Sequence, residues 1–253
     1  MNISQLFCDG WEFSKNPLGT DISAATGWHP VDIPHDWMIY QTEDLYETST
    51  GWYRKKFEAH PDRRTAVRFE GVYMDSRVYI NGMLAGEWKY GYSTFEFDIT
   101  DLLTDGENEI TVRVDYRSPN TRWYSGAGIF RDVYLKEYEP VHISPDGIYI
   151  SASADGRAQV TVECERPDGM TVDSLSVCVQ IIKDGAVISE KSAACCACDI
   201  CRIPAPVRHR GYRYSVNTIN FEIYGAKVWD IGSPELYTAK GSLLDGGTPV
   251  HEE

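Results

Sequence analysis

The residues of this chain with the types and spacing to do chemistry fall into a few groups. Arg122-Trp123-Tyr124 sets a guanidinium beside two large aromatic rings, between Ser118-Pro119-Asn120 and Gly126-Ala127-Gly128. A guanidinium donates hydrogen bonds in a fixed fork, and aromatic faces stack on the apolar faces of ring-shaped ligands. The triplet is therefore the candidate for ligand contact. The other reading packs Trp123 and Tyr124 on an edge of the fold and leaves Arg122 solvated. His35-Asp36 has the residue types of an acid/base pair. No nucleophile accompanies it, and adjacent strand residues point to opposite faces, so it reads as structural. In Cys195-Cys196-Ala197-Cys198-Asp199-Ile200-Cys201, the Cys198/Cys201 pair has zinc-ligand spacing. A tetrahedral site draws a second pair from elsewhere, and only the adjacent cysteines and His209 offer one. Reduced, metal-free thiols are expected. Gly126-Ala127-Gly128 starts like a dinucleotide fingerprint, but Arg131 stands where the third glycine belongs, so no cofactor is expected. Among the 38 acidic residues, Glu96, Glu107 and Glu109 read as solvated strand faces. No catalytic residue is assigned to this chain.

The elements that must position these groups are strands. Between residues 67 and 135, apolar and polar residues alternate over 77–80, 94–99 and 109–114. That period puts one face of each run into a core and the other towards water. Asn81-Gly82 and Asp105-Gly106 separate the runs, and both pairs tolerate the positive φ of tight hairpins. Upstream, 52–59 alternates again, and 31–33 reads as a short strand ended by Pro34. Residues 1–30 read as irregular, anchored by Trp11, Phe13 and Trp28. Residues 116–129 form a long loop on a rigid scaffold, a common place for function. A boundary falls at 137–144, bracketed by Pro140 and Pro145. Beyond it, 148–150, 158–163, 175–182, 186–190, 212–224 and 235–244 alternate around Asp155-Gly156, Asp168-Gly169 and Asp184-Gly185. Short strands with turn signals at that spacing fit an immunoglobulin-like sandwich.

Four blocks, in order, carry a resemblance. They are Ile33-Pro34-His35-Asp36-Trp37, Gly51-Trp52-Tyr53-Arg54-Lys55-Lys56-Phe57, Tyr79-Ile80-Asn81-Gly82 with Gly91-Tyr92-Ser93-Thr94-Phe95-Glu96-Phe97-Asp98, and Arg122-Trp123-Tyr124 with Gly126-Ala127-Gly128-Ile129-Phe130-Arg131-Asp132-Val133. Together they resemble the N-terminal sugar-binding domain of glycoside hydrolase family 2, which contains β-galactosidases and β-glucuronidases. The resemblance implies an all-β chain, with a jelly-roll, galactose-binding-like sandwich at 1–140 and an immunoglobulin-like sandwich at 141–253. Val228-Trp229 and Pro234-Glu235-Leu236-Tyr237 are similar to the family's signature near the end of that second domain. It implies too that a (β/α)₈ barrel with both catalytic glutamates follows at about the point where this chain stops. The chain is then a piece of a longer enzyme, with its own barrel as partner and no activity alone. In the family the loop holding Arg122, Trp123 and Tyr124 reaches the rim of the barrel's active site, which makes these three the expected substrate-rim residues. Relatives can place a sugar-bonding aspartate near this position; Arg122 stands there, so that acidic contact is not carried over.

Composition bounds the rest. A chain of 253 residues buries a core without staples. A formal charge of −14 repels phosphate backbones and anionic lipid, so neither nucleic acid nor a membrane is an expected partner. No apolar run reaches about 18 residues, and no basic segment followed by an apolar stretch opens the chain. The seven cysteines are unevenly spread, which fits a reducing cytoplasm better than a disulfide framework. The expected function is that of the non-catalytic N-terminal portion of a retaining, β-galactosidase-like hydrolase. The alternatives are a free-standing carbohydrate-binding module and a purely structural spacer.

Overall fold

A computed structural model describes residues 2–39, 43, 46–59, 63–196 and 211–253, and the alternating runs of the sequence are its strands. The described contacts divide into two units: Ile3–Glu137, and Tyr138–Glu253 together with Asn2. Both are all-β.

The first unit contains β1 (Ile3–Leu6), β2 (Trp11–Pro17), β3 (His29–Val31), β4 (Ser49–Ala59), β5 (Arg64–Phe69) and β6 (Val72–Tyr73). There follow β7 (Ser76–Ile80), β8 (Met83–Trp88), β9 (Phe95–Asp98), β10 (Gly106–Tyr116), β11 (Gly128–Ile129) and β12 (Val133–Tyr138). One sheet runs β1-β12-β5-β9, a second β3-β2-β4-β10-β7-β8, and a short third pairs β11 with β6. β10 is central, flanked by β4 and β7, and its Ile110, Val112 and Val114 are buried. Across the core lie Val67 and Phe69 of β5, with Phe95, Phe97 and Trp11 in the same cluster. Fully burying each large apolar side chain contributes about 1.5–3 kcal/mol. The β7–β8 hairpin turns at Asn81 and Gly82, whose φ angles of 51° and 78° are those of the tight turn that the sequence predicts. The Asn81 amide also donates to Asn108 Oδ1 at 2.8 Å, fastening the turn to β10.

Two expectations need correction here. Residues 1–30 are not irregular: β1 adds to the edge of one sheet beside β12, and β2 pairs with β4 in the other. Their pairing partners lie far along the chain, so local alternation could not show them. Glu96 is not solvated. It faces Arg68 of β5 and Lys136 of β12, each at 3.8 Å, and its side chain is only 11% exposed. Cations from two other strands of its sheet close over it. Glu107 does face water, paired with Lys56 at 2.8 Å.

The second unit contains β13 (His142–Ala152), β14 (Arg157–Pro167), β15 (Leu175–Lys183), β16 (Ala186–Ala194), β17 (Tyr212–Glu222), β18 (Thr238–Asp245) and β19 (Thr248–Glu252). Its sheets run β13-β14-β17 and β16-β15-β18-β19. The first, second and fifth strands thus oppose the fourth, third, sixth and seventh, a seven-stranded immunoglobulin-like sandwich with its fourth strand on the larger sheet. Val160, Val162, Val177, Val179, Phe221 and Leu243 fill the space between them. Cys198, Cys201 and His209, the residues weighed for zinc, lie outside the described residues. No described helix is long and apolar enough to cross a membrane.

Candidate functional site

The loop between β10 and β11 carries Arg122, Trp123 and Tyr124, and its shape is set by one carboxylate. Residues 35–37 run beside 127–129: His35 N donates to Ile129 O at 2.7 Å and Trp37 N to Ala127 O at 3.1 Å. Asp36, between them, turns its side chain onto the loop. Its Oδ1 accepts from Ala127 N at 2.9 Å and from Met38 N at 3.0 Å. Its Oδ2 accepts from the Tyr124 hydroxyl at 2.5 Å. Burial, then the bond to this carboxylate, pushes the Tyr124 phenol well above its ordinary value, so the hydroxyl stays protonated and donating.

The small residues after the triplet are required by this contact. Gly126 has φ +73°, and a Cβ there would lie 2.6 Å from Asp36 Oδ2. A Cβ at Gly128 would lie 2.5 Å from both His35 O and Tyr53 Oη. Strand pairing follows the glycines, with no helix, so the dinucleotide reading fails on structure as it does on sequence. Ahead of the triplet, Ser118 N donates to Thr48 Oγ1 at 3.1 Å, Asn120 Nδ2 to Arg117 O at 2.8 Å, and Thr121 Oγ1 to Trp123 O at 2.5 Å. The loop is pinned at several points.

What remains outward is the predicted triplet, in unequal roles. Trp123 is 66% exposed and Tyr124 40%, while Arg122 is exposed. Among the described residues, neither the Arg122 guanidinium nor the Trp123 indole N–H has a hydrogen-bond partner. Tyr124 differs, because its hydroxyl is committed to Asp36 and only its ring is available. The fold thus holds the Tyr124 hydroxyl and leaves its ring outward.

His35 is a core residue. Its Nδ1 lies 2.8 Å from Tyr53 Oη, its ring packs against Phe13 at 4.7 Å, and burial lowers its pKa to about 4. It is neutral at physiological pH and supports the turn from beneath.

Sequence reasoning missed Asp36 as the anchor, and it missed Tyr90 and Tyr92. These two rings are 62% and 38% exposed and lie 5.9 Å apart. Tyr92 packs on buried Tyr73 at 5.1 Å, and Tyr73 on Tyr116 at 6.3 Å, whose hydroxyl receives Ser125 Oγ at 3.4 Å. A tyrosine series therefore links the surface at 90–92 to the base of the loop. The fold requires Gly91 between the two tyrosines, since a Cβ there would sit 2.2 Å from the Tyr73 ring.

The described residues thus form antiparallel sandwiches, one of them bearing an exposed cation and aromatics on a pinned loop. Residues 20–139 match the family described as glycosyl hydrolases family 2, sugar binding domain. Residues 20–139 are thus a sugar binding domain of glycosyl hydrolases family 2. The chain is 31% identical, over 90% of its length, to a β-galactosidase, BoGH2A, of Bacteroides ovatus. It is 29% identical, over 95% of its length, to a β-glucuronidase of Formosa agariphila. It spans 28% of the length of each. Among solved structures, a β-glycosidase of Bacteroides vulgatus superimposes with a TM-score of 0.71 and 26% identity, covering 99% of this chain and 33% of that one.

Proposed function

We propose that this chain is the non-catalytic N-terminal portion of a retaining, β-galactosidase-like family 2 glycoside hydrolase, lending the 117–128 loop to the rim of the substrate pocket. The observation that carries this reading is the division of labour within the loop. Asp36 and the glycines fix the backbone, while Arg122 and Trp123 are left outward with unspent hydrogen-bonding and stacking capacity. A β-glycoside presents hydroxyls, or a carboxylate in a glucuronide, for the guanidinium fork, and apolar C–H faces for the indole. Retention requires two carboxylates about 5–5.5 Å apart, which in this reading belong to a barrel that accompanies the chain. The relatives named β-galactosidase and β-glucuronidase, each matched over about a quarter of its length, support the same assignment. The buried thiols of Cys8, Cys164 and Cys195 support a reducing compartment, and we place the protein in the cytoplasm.

Arg122→Ala tests the reading. In the natural protein it lowers kcat/KM on p-nitrophenyl β-galactoside by about tenfold or more, the worth of one polar contact of roughly 1.4 kcal/mol. In the isolated chain it changes stability by no more than about 0.5 kcal/mol, as an ordinary surface change does. An early-melting variant with unchanged kinetics makes the loop a packing corner instead.

A further inference from the structure

The second unit has a groove of its own, on the outer face of the β13-β14-β17 sheet. Its volume is about 690 Å³, and Ser151, Arg157, Gln159, Asn220, Glu222 and Tyr224 are among the residues lining it. That volume is in the range of sites that hold small ligands. Strand register brings these side chains together. Ser151 of β13 stands opposite Gln159 of β14, Gln159 opposite Asn220 of β17, and Arg157 opposite Glu222. Alternation turns Val160, Ile219 and Phe221 into the core and leaves Gln159, Asn220 and Glu222 outward. Neighbouring strands lie about 4.8 Å apart, so the row from Ser151 through Gln159 to Asn220 crosses roughly 10 Å of sheet.

Two features of this row point to a ligand. Gln159 Nε2 donates to Asn220 Oδ1 at 3.1 Å, which uses one polar group of each amide. The Gln159 carbonyl oxygen and the Asn220 side-chain NH₂ remain, and among the described residues neither has a partner. An acceptor and a donor held side by side fit two adjacent hydroxyls. Lys191 of β16 donates to Asn220 O at 2.7 Å, fastening the strand beneath the pair. Just past the end of β17, Tyr224 is 92% exposed, and its hydroxyl donates to the Glu222 carboxylate at 3.3 Å. The hydroxyl is held while the ring stays open to water. Cross-strand pairing accounts for the Gln159–Asn220 contact by itself. It does not account for Tyr224, from whose ring the sandwich gains almost no burial. Charge then narrows the ligand. Arg157 is paired with Asp155 at 2.7 Å, and Lys191 and Glu222 are of opposite sign, so the groove has no surplus charge. The formal charge of −14 on the chain further disfavours an anion.

We propose that this groove is a carbohydrate-binding site in its own right, for neutral β-linked oligosaccharides. Tyr224 stacks on the apolar face of one sugar ring, and the Gln159–Asn220 pair bonds adjacent hydroxyls of a neighbouring ring. The site requires nothing outside the second unit, so it stands or falls apart from the function proposed above.

Calorimetric titration of the 253-residue chain with the β-1,4-linked tetrasaccharides of galactose, glucose and mannose tests it. At least one should bind. Tyr224→Ala should weaken that binding by about fivefold or more, the worth of one aromatic stacking contact, and Tyr224→Trp should retain it. Gln159→Ala/Asn220→Ala should weaken it likewise, whereas Arg122→Ala/Trp123→Ala should leave it unchanged. The melting temperature of Tyr224→Ala should match that of the parent chain, because the ring is 92% exposed. In the natural protein, Tyr224→Ala should leave kcat/KM on p-nitrophenyl β-galactoside unchanged and should abolish the slowing of migration through a gel holding the polymer of the bound sugar. Binding of none of the three at about 10 mM overturns the site. So does binding that Tyr224→Ala leaves intact, or binding lost instead with the Arg122 and Trp123 variant. Tighter binding of tetragalacturonate overturns the neutral ligand class. A natural protein that migrates freely while the 253-residue chain is slowed shows the groove covered, and overturns the proposal as well.

Discussion

Asp36 is the residue on which the shape of the candidate site depends. It accepts from Tyr124, Ala127 and Met38. Asp36→Ala leaves the part-buried Ala127 N–H without its acceptor, which costs about 1–3 kcal/mol. The cost should appear locally: exchange at 122–128 speeds by about tenfold or more, while amides of β4 and β10 stay protected. Asp36→Asn, which keeps one acceptor oxygen, should fall between. If exchange in the loop does not respond, Asp36 is not its anchor. His35, one residue earlier, gives a pH signature. In the unfolded chain it titrates near 6.5, whereas burial holds the folded ring at about 4. Between those values the unfolded state takes up a proton that the folded state refuses, so stability falls as pH drops from about 6.5 to about 4 and levels off below. The loss is roughly 3 kcal/mol from this group. Urea titrations at pH 7 and pH 4.5 check it: His35→Asn should flatten that part of the profile, and an unchanged slope would assign the loss to other groups.

At the scale of elements, β10 joins fold to site. It ends at Tyr116, directly before the loop, and Asp115 beside it is buried. Asp115 Oδ1 accepts from Thr50 Oγ1 of β4 at 2.6 Å and from Arg113 Nε at 3.0 Å, while Arg77 of β7 lies 3.6 Å from Oδ2. One carboxylate thus ties three adjacent strands together at the end of the sheet that launches the loop. Asp115→Ala removes the counter-charge of two partly covered arginines and should cost about 2–3 kcal/mol, below the range for fully buried pairs because Arg77 and Arg113 keep some water. A shift in urea midpoint at constant slope would show it. A near-neutral result would make the network a surface feature.

For the whole molecule, the expected behaviour is that the isolated 253-residue chain turns over no β-galactoside, β-glucuronide or β-mannoside. Turnover that copurifies with the chain and disappears on replacing one of its own carboxylates would defeat that reading. Much of the architecture was legible beforehand. Period-two alternation and turns such as Asn81-Gly82 and Asp184-Gly185, with φ of 50–51° at the first residue and 78–81° at the second, are local properties that a chain expresses wherever it lies. They account for the strands from β4 onward that alternate, for the all-β class and for the position of the Arg122 loop. Tertiary structure decided whatever depends on residues distant in sequence. β1 is a strand because β12 offers it an edge. Glu96 is enclosed because Arg68 and Lys136 arrive beside it from other strands. Glu163, at the end of an alternating run, and Glu165 just beyond it are fully buried in β14. Asp36 became an anchor only when Tyr124, 88 positions away, was folded onto it. A side chain's type travels with the sequence, whereas its burial and its partners exist only once separate strands have met.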